Sequence, residues 1–394
     1  MPHYKYLIVG GGMTADAAVS GIRELDTEGS IGLISEEPNP PYNRPPLSKG
    51  LWKGEATASI WRGTDKQNVT LQLSRKAQSL DVRKRIVTDE QGSVYTFEKL
   101  LLATGATPRQ LPFDDGSIIY YRTVRDYENL RALTAQGRRF AVIGGGFIGW
   151  EITAALAMNG KEVVMLFPGE AIGDHIYPID LARSLSDYYQ QKGVTVVSRS
   201  AVLGLEKEPR GTKVKTRSQG EFLVDGVVAG IGVTPNVELA LSAGLEVDNG
   251  IVVDEFLRTS NPDVYAAGDV ANFYSPALER RVRVEHEDNA NTMGREAGRA
   301  MAGKASPYHH LPFFYSDLFD LGYEAIGDLD PRLETVADWK EPYREGVVYY
   351  LRDARVRGVL LWSVWGQVNA ARELITAPGP FRAADLKGRL PKVQ

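Results

Sequence analysis

One βαβ unit is written twice in this chain. Tyr6-Leu7-Ile8-Val9 is a short apolar run that breaks into Gly10-Gly11-Gly12. An alanine-rich amphipathic stretch, Met13 to Leu25, follows, then a second apolar run, Ile31 to Ile34. The same order returns as Phe140-Ala141-Val142-Ile143, Gly144-Gly145-Gly146, a helix-like stretch from Phe147 to Met158 and the run Glu162 to Phe167. Gly10 and Gly144 stand 134 residues apart, as do Gly12 and Gly146, Ala15 and Gly149, and Glu36 and Glu170. Strand, helix, strand alternation in each copy predicts a parallel doubly wound sheet, so the expected fold class is α/β with two Rossmann-like dinucleotide-binding domains. Between the copies, alternating polar and β-branched residues over Thr70 to Thr96 predict a small antiparallel meander. From about Leu311 aromatics dominate (Phe313, Phe314, Tyr315, Phe319, Tyr323) and short alternating strands follow, which predicts a separate C-terminal α+β domain. The expected boundaries are 1–122 with 240–308, 123–239, and 309–394.

Gly10-x-Gly12-x-x-Ala15 and Gly144-x-Gly146-x-x-Gly149 each follow a strand and open a helix. Such glycines permit a tight turn and bring a pyrophosphate close to a helix N-terminus, whose dipole and free N–H groups favour an anion. Glu36 and Glu170, each 21 residues past the end of its fingerprint, are placed to accept hydrogen bonds from a ribose diol. A lone GxGxxG is as often a bare turn, but two copies with acids at matching distance predict two dinucleotide sites. The turns Ala103-Thr104-Gly105 and Gly268-Asp269 also end apolar strands. An Asp at a strand's carboxyl end suits polyol hydroxyls, so Thr104, Gly105 and Asp269 assign FAD to the first site and leave a nicotinamide nucleotide to the second. An acid after the second strand favours an unphosphorylated ribose. No Arg or Lys lies between Glu170 and Arg183, so NADH is expected over NADPH.

The 394 residues include no cysteine, which excludes disulfides, thiolate zinc sites, cysteine-ligated iron–sulfur clusters and thiol-based redox chemistry. Redox chemistry must then run on a bound organic cofactor. The 46 basic and 50 acidic side chains give a formal charge of −4, which argues against nucleic acid as a main partner. No apolar run approaches the roughly 18 residues of a membrane span. Met1-Pro2-His3-Tyr4-Lys5 enters a strand at once, so neither a signal nor a transit peptide is expected and the chain is read as cytoplasmic. His309-His310 lacks partners at ligand spacing, so no metal is expected. Gly298 to Ala305 imitates a P-loop but lacks the closing Ser/Thr and lies in a helical stretch.

Four longer segments carry a resemblance: Glu36-Glu37-Pro38-Asn39-Pro40-Pro41-Tyr42-Asn43-Arg44-Pro45-Pro46-Leu47-Ser48-Lys49, Gly144 through Glu151, Arg283-Val284-Glu285-His286, and Tyr315-Ser316-Asp317 with Gly322 through Gly327. The chain resembles, over nearly its whole length, the FAD/NAD(P)-dependent reductases with two dinucleotide domains and a glutathione-reductase-like fold. Within them it is most similar to prokaryotic apoptosis-inducing-factor-like proteins and the ferredoxin and rubredoxin reductases. The resemblance implies that Glu36, Arg44, Lys49 and Asp269 contact FAD, and that Lys49 lies beside flavin N5 and pairs with Glu151. It implies that Phe147 shields the flavin until nicotinamide displaces it, and that His286 and Glu287 start a helix beneath the flavin. Tyr315 stands at a cofactor position that is commonly Trp. The family's ribose-contacting acid aligns nearer Gly169 than Glu170. Relatives that reduce peroxide, oxygen or coenzyme A disulfide carry a redox Cys where Lys49 stands.

Two functions are expected from these residues. In the first, hydride passes from NADH to flavin N5 and electrons leave to ferredoxin, rubredoxin or quinone. The run Arg280-Arg281-x-Arg283 is then either a dock for an acidic iron–sulfur protein or a solvated strand end. In the second, the chain is an NADH-responsive redox sensor with a long-lived charge-transfer complex and slow turnover. The C-terminal aromatics are read as core, with one or two left to line the flavin or make a homodimer face.

Overall fold

The computed structural model describes residues 1–218 and 220–390. Two compact units emerge, one of 1–43, 58–107 and 234–312, the other of 44–57, 108–233 and 313–394.

In the first unit the strands Val69–Gln72, Ile31–Ile34, His3–Val9 and Val94–Leu102 lie side by side and parallel, with Val264–Ala266 also parallel to Val94–Leu102. Their inner residues are apolar on both faces because helices cover the sheet, as parallel sheets require. The meander is shorter than the alternation predicts. Ala77–Asp81, Ile86–Asp89 and Val94–Leu102 are antiparallel, whereas Val69–Gln72 joins the sheet as a parallel edge strand next to Ile31–Ile34. Val9, Leu102 and Ala266 stand abreast at the carboxyl ends of three neighbouring strands. The turns at Gly10, Thr104-Gly105 and Gly268-Asp269 therefore share one edge, the edge at which open parallel sheets hold ligands.

Helix Met13–Arg23 packs on helix Glu287–Met301 through glycines. A Cβ on Gly298 would stand 2.1 Å from the carbonyl oxygen of Ala18, and one on Gly21 2.1 Å from that of Arg295. The glycine that imitates a P-loop thus serves close helix contact.

The second unit holds a parallel sheet in the order Thr195–Val197, Glu162–Leu166, Arg139–Ile143, Gly226–Ala229, Ile118–Tyr120. A three-stranded antiparallel sheet, Val202–Glu208, Gly211–Thr216 and Glu221–Val224, adjoins it in sequence. The C-terminal segment forms a five-stranded antiparallel sheet in the order Phe313–Leu318, Leu321–Gly327, Arg355–Trp362, Glu345–Arg352, Glu334–Glu341. Helix Phe147–Met158 is apolar on nearly every side, and such a helix needs cover on all faces along its middle, where Gly149 to Leu156 are buried. Trp150 and Ala154 pack in one cluster with Tyr177, Tyr323 and Trp362, the last two contributed by the C-terminal sheet.

Replacing Gly298 with Ala is expected to destabilise the protein by about 1–3 kcal/mol, because the added methyl has no room without moving backbone. Chemical denaturation measures this, and an unchanged midpoint would contradict the close helix contact.

Candidate functional site

Both glycine fingerprints fold into the same local geometry. Gly10 and Gly144 have φ of 126° and 123°, in the region that L side chains rarely adopt. A Cβ there would stand 2.0 Å from the carbonyl oxygen of Ala103 in the first unit, and 2.2 Å from that of Gly230 in the second. Each turn delivers Gly12 or Gly146 as the N-cap of a helix, and neither helix start is capped by a side chain. By contrast, helix Val124–Gln136 is closed by Thr123 and Asp126 in a full capping box. A side chain on Gly12 or Gly146 would project into open space. Uncapped N–H groups facing open space at the carboxyl edge of a parallel sheet suit a pyrophosphate, so the residues present fit a dinucleotide at each turn. The third fingerprint position differs between copies. Gly149 lies so close to Gly144 that a Cβ would meet its carbonyl at 2.1 Å, while Ala15 has room for its methyl and is fully buried.

In the first unit Glu36 follows strand Ile31–Ile34 and is exposed, with Lys76 Nζ 3.2 Å from its carboxylate. Thr104 Oγ1 donates to the carbonyl of Asn236 at 2.7 Å, and Asn236 Nδ2 donates back to the carbonyl of Thr104 at 2.8 Å. This exchange fixes the turn that Gly105, at φ 66°, completes. Asp269 sits in a single helical turn after Val264–Ala266, and its carbonyl accepts from Arg283 Nη1 at 3.0 Å. His286 is the N-cap of helix Glu287–Met301, and its Nδ1 accepts from the backbone N–H of Asp288 at 3.3 Å. Glu287 lies in the first turn of that helix. Arg281 donates to the carbonyls of Val253 and Asn272. With Arg283 also turned onto a carbonyl, two of the three arginines in this run serve the fold.

The second unit gathers the remaining residues around one buried carboxylate. Glu151 lies on helix Phe147–Met158, with its side chain 6% exposed. Its Oε1 is 2.5 Å from Lys49 Nζ and accepts from Ser316 Oγ at 2.6 Å, and its Oε2 accepts from Ser48 Oγ at 2.6 Å. Trp150 Nε1 donates to Ser316 Oγ at 3.1 Å, which leaves the Ser316 hydroxyl hydrogen directed at Glu151. Hydrogen bonds to an ionised acceptor are the strong ones, and a buried ion pair needs such additional donors to offset its desolvation. Lys49 joins the short helical turns Pro45–Ser48 and Gly50–Lys53, which are tied down where Trp52 Nε1 and the Tyr121 hydroxyl donate to the carbonyl of Leu47. The Lys49 ammonium also lies 5.4 Å from the ring centre of Tyr315. Phe147, 39% exposed, opens the helix with its ring edge-on to Trp150 at 4.9 Å and to Phe314 at 5.8 Å. Arg44 donates from Nη1 to the carbonyl of Arg122 at 2.9 Å. Glu170 follows strand Glu162–Leu166 and bonds both Arg183 and Arg199, which hold its carboxyl below the usual carboxylate range.

Lys49, Glu151, Phe147 and Tyr315 are thus brought together within one unit. Sequence reasoning missed Ser48, Ser316 and the Trp150 N–H. The two serines stand inside segments that carry the resemblance, Pro-Pro-Leu-Ser-Lys and Tyr-Ser-Asp, and that placement was the available signal.

Two uncapped glycine turns on two parallel sheets define a protein built to hold two dinucleotides. The sequence matches the family described as pyridine nucleotide-disulphide oxidoreductase over residues 4–294. It matches the C-terminal family described as apoptosis-inducing factor, mitochondrion-associated, over 297–342 and 337–377. The chain is 34% identical over 417 residues to apoptosis-inducing factor 1, mitochondrial, of Dictyostelium discoideum, covering 94% of this chain and 78% of that one. It is 32% identical over 392 residues to the anthranilate 1,2-dioxygenase system ferredoxin–NAD(+) reductase component of Burkholderia cepacia, covering 96% and 97%. The solved covalent putidaredoxin reductase–putidaredoxin complex matches it with a TM-score of 0.88 at 29% identity, covering 95% and 94% of the two chains. The chain belongs to the pyridine nucleotide-disulphide oxidoreductase family. It is an FAD-containing, nicotinamide-nucleotide-dependent reductase, and with no cysteine it has no redox disulphide of its own. Among the described residues, no helix is long and apolar enough to cross a membrane.

Ser316→Ala is expected to cost about 1–3 kcal/mol, because it removes a donor from a buried carboxylate and leaves the Trp150 N–H without its acceptor. Guanidinium unfolding of the variant measures this. A loss below a few tenths of a kcal/mol would show that the network is not held as described.

Proposed function

We propose that this chain oxidises NADH at its bound FAD and passes the electrons to a small external iron–sulfur protein of the ferredoxin or rubredoxin kind. The observation that carries this reading is the buried Lys49–Glu151 pair in a chain without cysteine. Electrons have no thiol within the protein to go to, so they must leave to an acceptor outside it. A relative named as a ferredoxin–NAD(+) reductase component and the solved putidaredoxin reductase–putidaredoxin complex support this choice of acceptor.

Residues 1–122 and 240–308 are assigned to FAD, 123–239 to the nicotinamide nucleotide, and 309–394 to a C-terminal domain. Gly10, Gly12 and Ala15 hold the FAD pyrophosphate at the helix start, Glu36 the adenosine ribose, and Thr104, Gly105 and Asp269 the ribityl side. Arg44, Lys49, Glu287 and Tyr315 complete the FAD contacts. Gly144, Gly146, Gly149 and Glu170 hold the nicotinamide nucleotide, and the carboxylate of Glu170 favours the unphosphorylated ribose of NADH. Bound FAD would supply the chemistry, accepting two electrons as hydride and releasing them singly. Lys49 presents a fixed positive charge at the reacting centre, and Glu151 with Ser48 and Ser316 keeps the ammonium from swinging away. The ring of Phe147, braced by Trp150 and Phe314, excludes water until nicotinamide takes its place. His286, as N-cap, sets the start of a helix whose dipole favours negative charge on the reduced cofactor. The same reading puts the chain in the cytoplasm, where reduced nicotinamide nucleotide is supplied.

A second reading rests on the match of residues 297–377 to the apoptosis-inducing factor C-terminal family. In it the chain is a slow NADH-responsive sensor whose surface or dimer state changes on reduction. Anaerobic stopped-flow with NADH, then mixing with ferredoxin, quinone and oxygen, separates the two. Fast reoxidation by ferredoxin supports the reductase. Persistent long-wavelength absorbance with every acceptor slow overturns it in favour of the sensor.

Lys49→Ala and Glu151→Ala are each expected to slow flavin reduction by NADH at least about tenfold, or roughly 1.4 kcal/mol. Unchanged rates in both variants would remove the pair from the reaction.

A further inference from the structure

Glu170 is the acid expected at the adenosine ribose of the nicotinamide nucleotide, yet its carboxylate does not stand alone. Arg183, on helix Ile179–Gln191, donates from Nε to Oε1 at 2.9 Å and adds a second bond from Nη2. Arg199, just past strand Thr195–Val197, brings Nη2 to 2.7 Å from Oε2. That strand is the parallel neighbour of Glu162–Leu166, so Arg199 and Glu170 leave the sheet at the same carboxyl edge. The backbone locks the two loops together, since the N–H of Arg199 donates to the carbonyl of Gly169 at 2.7 Å. The N–H of Glu170 in turn donates to Asp174 Oδ2 at 2.6 Å, which fixes the turn that presents the carboxylate.

In a Rossmann unit an acid after the second strand bonds the ribose 2′-hydroxyl of NAD, whereas an arginine there accommodates the 2′-phosphate of NADP. This chain places both kinds of group at one point, one carboxylate between two guanidiniums, with a second carboxylate, Asp174, bonded to the backbone of the same turn. Both arginine side chains are largely exposed, at 62% and 68%, and ion pairs that open to water are weakly held. A 2′-phosphate, with a charge of about −1.5 to −2 and three strong acceptor oxygens, is a better partner for two guanidiniums than a carboxylate is.

We propose that Arg183, Glu170 and Arg199 form a two-way ribose site. Glu170 accepts the 2′-hydroxyl of an unphosphorylated nucleotide. When a 2′-phosphate arrives instead, Arg183 and Arg199 leave Glu170 and bind it. Glu170 therefore sets the cosubstrate balance by occupying the two guanidiniums, and the site accepts NADPH as well as NADH. The inference rests on the nucleotide reading of the second fingerprint.

The test uses the FAD-loaded protein and titrates ADP-ribose and 2′-phospho-ADP-ribose by calorimetry, so that the readout is binding and not turnover. Wild-type protein is expected to bind both. In Glu170→Gln the ratio of the two affinities should move toward the phosphorylated probe by at least about tenfold, the scale of one charge-assisted hydrogen bond. In the double variant Arg183→Ala/Arg199→Ala it should move by a similar factor the other way. The flavin spectrum reports that each variant is folded and loaded. A ratio that stays within about twofold of wild type in both variants overturns the two-way site. So does wild-type protein that binds only the unphosphorylated probe. Failure of the wild type to bind either probe would instead overturn the nucleotide reading of the second fingerprint.

Discussion

The ion-pair network of the second unit depends on one carboxylate that is taken out of water and given three hydrogen-bond donors. Glu151 stands on a helix, Ser48 and Lys49 on a pair of short turns, and Ser316 on the first strand of the C-terminal sheet. An unpartnered buried charge costs several kcal/mol, so these three segments are held to a single relative arrangement wherever the carboxylate is satisfied. The lysine gains from this a position that its own flexible stem could not give it. A lysine ammonium is a point charge on four methylenes, and it aims at nothing unless its far end is pinned.

The parts legible in the sequence were those whose cause is local. Gly10 and Gly144 are glycine because a neighbouring carbonyl lies where Cβ would be, and the uncapped helix that follows each is visible as a glycine where Ser or Thr would otherwise cap. The duplication strengthened this, since the turn at Ala103 and its echo at Gly230 supply the carbonyl in both copies. Parts whose cause is distant were not legible. Ser316 is 165 residues from Glu151, and serine is too common for its presence to announce a partner. Glu170 stands out by its spacing but its arginines do not, because they lie 13 and 29 residues further along the chain, and only the parallel pairing of two strands brings Arg199 back. The strand Val69–Gln72 was drawn into the meander because alternation shows a strand's two faces and not the direction of its neighbour.

The family's name includes a disulphide that this chain does not have. A chain without cysteine has no internal thiol to receive electrons, and that changes what the protein must do next. An internal disulphide stores a pair of electrons covalently. With no thiol here to store them, the timing of electron release falls to the cofactor and to its external acceptor.

Ser316 has a further consequence through its strand. It pairs with Tyr323 across a hairpin whose two-residue loop is Phe319 and Asp320. Phe319 adopts φ 62°, a conformation that a phenylalanine takes only under constraint, and its ring is lodged against Tyr188 and Tyr189. Side chains along a strand alternate faces, so slipping this hairpin by one residue would turn the serine away from the glutamate and leave every bond length in the loop ordinary. The aromatic wedge at the loop works like the pawl of a ratchet. It lets the strand settle at one tooth only, and through that tooth a phenylalanine lodged against two tyrosines decides where the Lys49 ammonium comes to rest.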